Sequence, residues 1–591
     1  MLCRFCDQEV PAGAFCDRCG ARLQPRRWEG PQWMRLRNFA AAPNQGVLLP
    51  VIATTLFPRL TRQSRTAFHV GLAVMMVTLL ALAALRVTPA LIAVGALGIP
   101  LLFVLYLREC GAFRDIPRRQ LVISAAVGAT LGVGAILVAG ARFAHINDIS
   151  MTAGVAWSKF FRHGLAIPLG AALLKVVPAA VARVLSKPPR KALDGFAIGA
   201  AGALAFSAAA TLTRLAPQFA VGWIAESRSV EGLIVEAAIS GVTVPLTAAA
   251  AGGTFGVALW FMPDPDSTRA HQRRAGAILA GLTLAVLIIF VGVVATDAAG
   301  LSQMKVLLLH LALAIAAGLA LRMALQIALL SEAHDSASVQ ARQCGFCGNA
   351  VPDTAFCPVC GVAGAAIPAC PRLVTHGARL LGTWALGNAF VAAALIALSV
   401  VVTATPRRFT CPPNCGRPPI ATPVRDLPRY TADDGGFTVS YPGAETAYDV
   451  TTDADGVTAR LTVGDGGVLR LFAVPAGGRP PRDIANALLR QRFPDAVIDY
   501  EIPNAMVGYQ LGWGAVADRW PQSSGGSYLR LRILVLVAVK NDLALVAAAA
   551  GPFREFGPDS GPGLPSGANV LIAQDMGKYV NSFRWKGDPL D

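Results

Sequence analysis

Eight of the twelve cysteines fall into two quartets of one spacing. They are Cys3, Cys6, Cys16, Cys19 and Cys344, Cys347, Cys357, Cys360. Each Cys-x-x-Cys pair can present two thiolates to adjacent corners of a tetrahedron, and two pairs close a four-sulfur site suited to zinc. With every corner occupied by sulfur no position is left for water, so the expected role of both ions is structural. The other four cysteines behave differently. Cys110 and Cys370 stand alone, and Cys411 and Cys415 form a close pair.

The quartets also agree between their ligands: CRFCDQEVPAGAFCDRCG against CGFCGNAVPDTAFCPVCG. Phe5/Phe346, Val10/Val351, Pro11/Pro352, Phe15/Phe356 and Gly20/Gly361 coincide, and both segments, 1–22 and 342–364, resemble the zinc-ribbon family. A module this small has almost no core, so metal ligation must supply its folding free energy. The resemblance implies small adaptors that bind a protein partner, here expected in the cytoplasm. The linker over 23–66 opens with Arg- and Trp-rich sequence (RRWEGPQWMRLRNF), which suits an anionic headgroup layer. Tethering to a membrane disfavours a nucleic-acid role, although the chemistry would be similar.

The elements that carry these modules follow from composition. Only 15% of the 591 residues are charged and 54% are hydrophobic, with mean hydropathy +0.51. That excludes a disordered chain and points away from an ordinary soluble enzyme. The net charge of +16 arises wholly from the first 404 residues. Windows of apolar residues predict nine transmembrane helices: 67–85, 88–107, 121–141, 164–184, 192–213, 233–262, 275–295, 304–330 and 382–404. The sixth is long enough to tilt or break at Pro245 or at Gly252–Gly253. Clusters such as Arg108, Arg114, Arg118 and Arg119, then Lys187, Arg190 and Lys191, then Arg269, Arg273 and Arg274, flank alternate spans. The positive-inside rule therefore places the N-terminus and both quartets in the cytoplasm of a plasma membrane, with the C-terminal domain outside. Reduced thiols inside agree with that orientation. Residues 1–20 are cysteine-rich and polar, without the apolar core of a secretory signal peptide, so none is expected; the Arg- and Ala-rich usage suggests a bacterial source.

Beyond the ninth span, a proline-rich spacer over 405–429 leads to a domain at 430–591. Alternating strands in GFTVSY, VTARLTV and LRLFAV, a helix over 482–493, apolar strands in YLRLRILVLVAV and LALVAAAA, and a last helix near 569–583 predict an α+β fold. GGFTVSYPG, LALVAAAAGPF and MGKYVNSFRW loosely resemble PsbP-like and LpqN-type extracytoplasmic domains. That resemblance implies an exterior binding role with an unidentified ligand. Asp433–Asp434 and Asp453–Asp455 read as turns. Cys411 and Cys415 are a candidate disulfide, with free thiols or an intermolecular bridge as the alternatives.

LGAALLKVVP (169–178), a basic loop, and DGFAIGAAGALAFSAAATL (194–212) resemble the PrsW-type intramembrane metalloproteases over about 85–262. The match rests on Lys175, Pro178, Asp194–Gly195, the glycines of the fifth span and Phe206. In that family a Glu-Glu pair, a further Glu and a His perform the hydrolysis. Ala171, Ala172 and Ala210 occupy the glutamate positions, and the sixth span offers no histidine. Alanine can neither take a proton from water nor hold a metal, so the resemblance implies a non-catalytic relative: a membrane scaffold or sensor linking an exterior domain to cytoplasmic partners. Two alternatives stand beside it, a peptidase using Glu226, Glu231 or Glu236 with His163, and a transporter using Lys175 and Glu236. Those two intramembrane charges are expected either to pair inside the bundle or to snorkel. Arg322 is expected to snorkel, and His310 to pack. Gly195/Gly199 and Gly128/Gly132 form small-residue faces for helix packing.

Overall fold

The computed structural model describes all residues except 1, 12, 24–37, 44, 61, 144–166, 186–190, 221–222, 225–229, 264–267, 299–300, 333–341, 353, 368–376, 405–426, 444–445, 447, 463–466, 521–529, 553–575 and 590–591. Cys411 and Cys415, the opening of the 23–66 linker, nearly all of the 405–429 spacer, His163 and Glu226 lie outside the described residues. The chain divides into two compact units: Met1–Ile136, Ser158–Thr296 and Met304–Val401 in one, and Leu137–Trp157, Asp297–Gln303 and Val402–Asp591 in the other.

The first unit is helical. Its helices are α1 (Arg62–Ala84), α2 (Thr88–Glu109), α3 (Arg118–Phe143), α4 (Ile167–Leu185), α5 (Ala192–Leu215), α6 (Val230–Trp260), α7 (Arg269–Ala298), α8 (Gln303–Ser331) and α9 (Gly377–Ala404). Among the described residues eight of them, all but α4, are long and apolar enough to cross a membrane. The chain is a multi-pass membrane protein. The expected fourth span is helical as α4, 19 residues long, and its side chains at 167–169, 171 and 172 lie outside the described set.

Close backbone approach organises the bundle around α5. A methyl group added at Gly199 would collide with the carbonyl oxygen of Gly252, and one at Gly195 with that of Gly256. The relation is reciprocal, since Gly252 and Gly256 face Gly199 and Gly195 in turn. On another side of α5, Gly128 and Gly132 of α3 rest on the carbonyls of Gly202 and Phe206. Ser124 donates to the Ile198 carbonyl at 2.8 Å. The small-residue faces thus do what their spacing implies.

α6 does not break at Gly252–Gly253, where the glycines serve packing. It is instead interrupted by a π-helical turn, Ile239–Thr243, ahead of Pro245. Proline lacks the N–H that a regular helix would direct to the preceding turn. Nearby hydroxyls cover carbonyls of this stretch: Ser240 donates to Glu236 O at 2.6 Å, Thr243 to Ile239 O at 3.1 Å and Thr247 to Thr243 O at 2.9 Å. α9 joins the same unit through Trp384, whose indole N–H donates to Gly98 O at 3.0 Å.

In the second four-cysteine segment β1 (Arg342–Gln343) pairs β2 (Ala350–Val351). The second unit holds an antiparallel sheet whose strands are β5 (Tyr448–Asp453), β6 (Gly456–Leu461), β7 (Val468–Pro475), β8 (Val497–Ile502), β10 (Gln510–Arg519), β11 (Leu531–Lys540) and β12 (Leu543–Pro552), with β9 (Met506–Val507) beside β10. Their order across the sheet is β5-β6-β7-β12-β11-β10-β8. A helix, α10 (Pro481–Arg492), buries Ile484, Ala485 and Leu489 against one face. The other face is covered by a small sheet of β3 (Arg429–Thr431), β4 (Phe437–Ser440) and β13 (Arg584–Trp585), with Tyr579 and Phe583. β11 has both faces inside, Ile533, Val535 and Val537 toward α10 and Leu534, Leu536 and Ala538 toward the small sheet. That double burial explains its unbroken apolar run. The fold class is therefore the expected one: a polytopic helical bundle, two four-cysteine modules and a C-terminal α+β domain.

Gly199→Ala should destabilise the bundle by about 1–3 kcal/mol, because the added methyl group must push two backbones apart. Gly281→Ala on α7, with nothing within 4 Å of the new carbon, should change stability little. Thermal unfolding in detergent, followed by tryptophan fluorescence, checks the pair; equal melting of both variants would show that the seam yields freely.

Candidate metal centres

Both cysteine quartets converge. Within each, the four sulfurs lie within 4.8 Å of one another. Across the knuckles Cys3–Cys19 is 3.7 Å, Cys6–Cys16 3.8 Å, Cys344–Cys360 3.8 Å and Cys347–Cys357 3.9 Å. A tetrahedral zinc with bonds of about 2.3 Å would hold its sulfurs about 3.8 Å apart. The donor sets fit two structural zinc ions.

Each pair of cysteines is set by the same knuckle. In the first knuckle Asp7 N–H returns to Cys3 O at 2.8 Å, and Gly20, Gly348 and Gly361 return to Cys16, Cys344 and Cys357 at 2.9, 2.7 and 2.8 Å. The returning residue has a positive φ in all four, 52° at Asp7 against 66°, 77° and 77° at the glycines. Glycine is the residue that adopts this conformation without strain, and Asp7 is the one departure from it. Backbone and amide N–H groups reach the sulfurs as well, Cys19 N–H to Cys16 Sγ at 3.4 Å and the Asn349 amide to Cys347 Sγ at 3.6 Å. Sulfurs packed this closely resist ionising together. Burial, then the charge of Cys19, pushes the Cys6 thiol up to about 11, and hydrogen bonding from Cys344 and Cys357 raises Cys360. A dication removes that penalty by drawing off the protons.

The two modules also meet each other, through a reciprocal contact. Phe15 N–H donates to Pro358 O at 3.0 Å and Phe356 N–H to Asp17 O at 2.8 Å. The Phe15 ring covers Gly361 and the Phe356 ring covers Gly20, so that a Cβ at either glycine would enter the opposing ring. Equivalent residues exchange equivalent contacts, the signature of a two-fold interface, here within one chain. The second module then continues to Ala40, whose carbonyl accepts from Ala363 N–H at 2.9 Å. Ala40 N–H donates to Gln326 Oε1 on α8 at 2.8 Å, and Gln326 Nε2 donates to Asn38 O at 3.1 Å. Arg65 of α1 donates to Ala41 O at 2.7 Å and stacks on Phe346 at 4.9 Å. The modules are docked on the helical bundle.

The intramembrane candidates are enclosed. Lys175 is 5% exposed, with its ammonium 3.6 Å from the Phe290 ring centre and 5.8 Å from that of Phe206. Glu236 is 3% exposed and accepts from Gln218 Nε2 at 3.1 Å. His310 is buried. Ala210 lies against Gly132 of α3, where the helices touch through backbone. Arg322 does not snorkel. It is 0% exposed and donates to Thr54 Oγ1 at 2.8 Å, Thr55 Oγ1 at 3.1 Å, Gln45 Oε1 at 3.2 Å and Gly46 O at 3.2 Å. Residues 38–60 bring oxygen to the guanidinium, which therefore has no need to reach water.

A further polar cluster sits at the N-terminus of α5. Glu332, just beyond α8, accepts from Ala192 N–H at 2.7 Å, and Asp194 pairs with buried Arg59 at 2.9 Å. Burial, opposed by the Ala192 N–H and Arg59, raises the Glu332 carboxyl to about 7.

No family model matches the chain, and no curated protein matches it. Among solved structures, the Saccharomyces cerevisiae Ran-binding protein Mog1p is similar to part of it, at 10% identity and a TM-score of 0.21, over 27% of this chain and 95% of that one. A likeness at that level carries no functional argument.

Metal analysis should find two zinc per chain, and Cys3→Ser or Cys344→Ser should each leave one. A second expectation concerns pH. Glu332 binds its proton more tightly when folded than when unfolded, since its carboxyl is raised, so the stabilisation is complete below about pH 4.5 and is lost as pH rises through 7. Arg59, Asp194 and Lys191 also act on this carboxyl. The loss amounts to up to about 3 kcal/mol, and Glu332→Gln should flatten the dependence of melting temperature between pH 5 and 8. An unchanged profile in that variant would assign the dependence elsewhere.

Proposed function

We propose that this protein is a non-catalytic membrane scaffold or sensor of PrsW-like type. In this reading the eight candidate spans and α4 form a fixed platform, the zinc modules lie in the cytoplasm of a bacterial plasma membrane, and the C-terminal domain engages an extracytoplasmic ligand. The observation that carries the proposal is the docked, reciprocally closed pair of four-cysteine modules. Saturated sulfur sites offer no open coordination for hydrolysis, and their placement against α8 through Ala40 and Gln326 couples metal binding to the membrane helices. A protein partner would then bind the outer surface of the paired modules.

The close contact of Gly132 with the Ala210 turn supports a packed seam where a hydrolase would need a water-filled cleft. Against the peptidase alternative, Glu236 is engaged by Gln218. Against the transporter alternative, which would use Lys175 and Glu236, Lys175 is held by aromatic rings.

Purified protein in detergent should leave unstructured and membrane-segment peptides uncut, with or without chelator. Cleavage that disappears in Glu236→Gln would overturn the proposal in favour of the peptidase. Chelation should instead loosen the modules: protease nicking within 1–23 and 342–367 should rise at least several-fold while the helices stay protected.

A further inference from the structure

The segment between the first module and α1 carries an inference of its own. From Phe39 to Pro58 it contains no charged residue. It packs into the bundle rather than crossing solvent: Phe39, Val47, Leu56 and Phe57 are buried in the main core, and the Phe57 ring lies 4.7 Å from Phe68 of α1 and 5.3 Å from Tyr106 of α2. Its oxygens enclose Arg322, and the Phe39 ring lies 4.0 Å from that guanidinium. Arg322 is nine residues before the end of α8, about 13 Å along the helix axis. The segment therefore reaches back along a membrane helix.

At its turn, the side chains that face outward are apolar. Leu48 is 55% exposed, Leu49 52% and Ile52 39%. The backbone around them is internally bonded, Leu49 N–H to Gly46 O at 3.3 Å, Val51 N–H to Leu49 O at 2.8 Å, and Thr55 N–H to Val51 O at 3.2 Å. Lipid-exposed irregular backbone is excluded from the hydrocarbon core, so the turn itself would lie at the interface with these side chains alone reaching inward.

The geometry points to residues 46–52 as a monotopic anchor whose Leu48, Leu49 and Ile52 insert among lipid acyl chains, in the leaflet on the side of the zinc modules. Lipid is the occupant for three reasons. The turn belongs to a segment wrapped on membrane helices, it holds a buried arginine of one of them, and three side chains are far too few for a stable protein interface, which needs about 800 Å² per partner. Such an anchor would pin the docked modules at the membrane surface.

The test uses the full chain in lipid nanodiscs. A photoreactive benzoylphenylalanine replaces Leu49, with Val77 of α1 (65% exposed) and Val359 of the second module (46% exposed) as references. Leu49 should give lipid adducts at a yield within about twofold of Val77 and at least tenfold above Val359. A yield matching Val359, or crosslinks to a second copy instead, would overturn the anchor. Wild-type protein exposed to a lipid-soluble diazirine supplies the same readout without substitution. Label should appear in the tryptic peptide 38–59 at Leu48, Leu49 or Ile52, and its absence there would count equally against the inference.

Discussion

A guanidinium inside an apolar helix must find oxygen. Arg322 satisfies that requirement from Gln45, Gly46, Thr54 and Thr55, and much of the first unit depends on how. Because the oxygens come from between Gln45 and Thr55, the charge-free stretch 39–58 is drawn onto α8 and held there. Its backbone at Asn38 and Ala40 then meets Gln326 one turn further along the same helix, and Ala40 carries the second zinc module. One buried charge thus orders the route from bundle to metal sites. Replacing it would take the guanidinium donor from the buried Thr54 and Thr55 hydroxyls, while Gln45 Oε1 would keep the Thr54 hydroxyl at 2.6 Å; a buried acceptor that loses its donor costs more than the bond itself contributes.

The middle of the bundle obeys a different constraint. In a bilayer, helices gain little from burying apolar surface against one another, so close packing and polar bonds decide association. α5 meets both α6 and α3 through glycine, and the hydroxyl of Ser124 bonds the Ile198 carbonyl across one of these contacts. Backbone contact therefore seams α5 on two sides. Its buried acid, Asp194, is committed to Arg59.

Much of this was legible beforehand because it follows from local rules. Four thiolates at that spacing have one good solution, so the zinc sites could be read from eight residues. Apolar windows of helix length gave the spans, and alternation gave β4, β6 and β7. Other features were hidden for physical reasons. Residues 39–58 are too short in helix and too broken by proline to read as a span, and their place in a linker with Arg- and Trp-rich sequence masked them. Their lack of charge was the available signal. The pairing of the two modules depends on Phe15 and Phe356 resting on glycines more than three hundred residues away, a contact no local pattern encodes. The repeat itself was visible, but repetition alone does not say that one half is made to fit the other. β8 and β10 were missed since VIDYEI and QLGWGAVADR interleave glycine and acid where a core strand would be apolar.

The joined modules also impose an order on biosynthesis. One half of the clasp leaves the ribosome first, and its complement emerges only after eight of the hydrophobic segments have been made. Until then Phe15 has no glycine to cover. The contact between Phe15 and Gly361 therefore forms only after the second module has been made. The same resemblance between halves carries a hazard, because a crowded membrane offers the matching half of a neighbouring chain, and exchange between copies would link them.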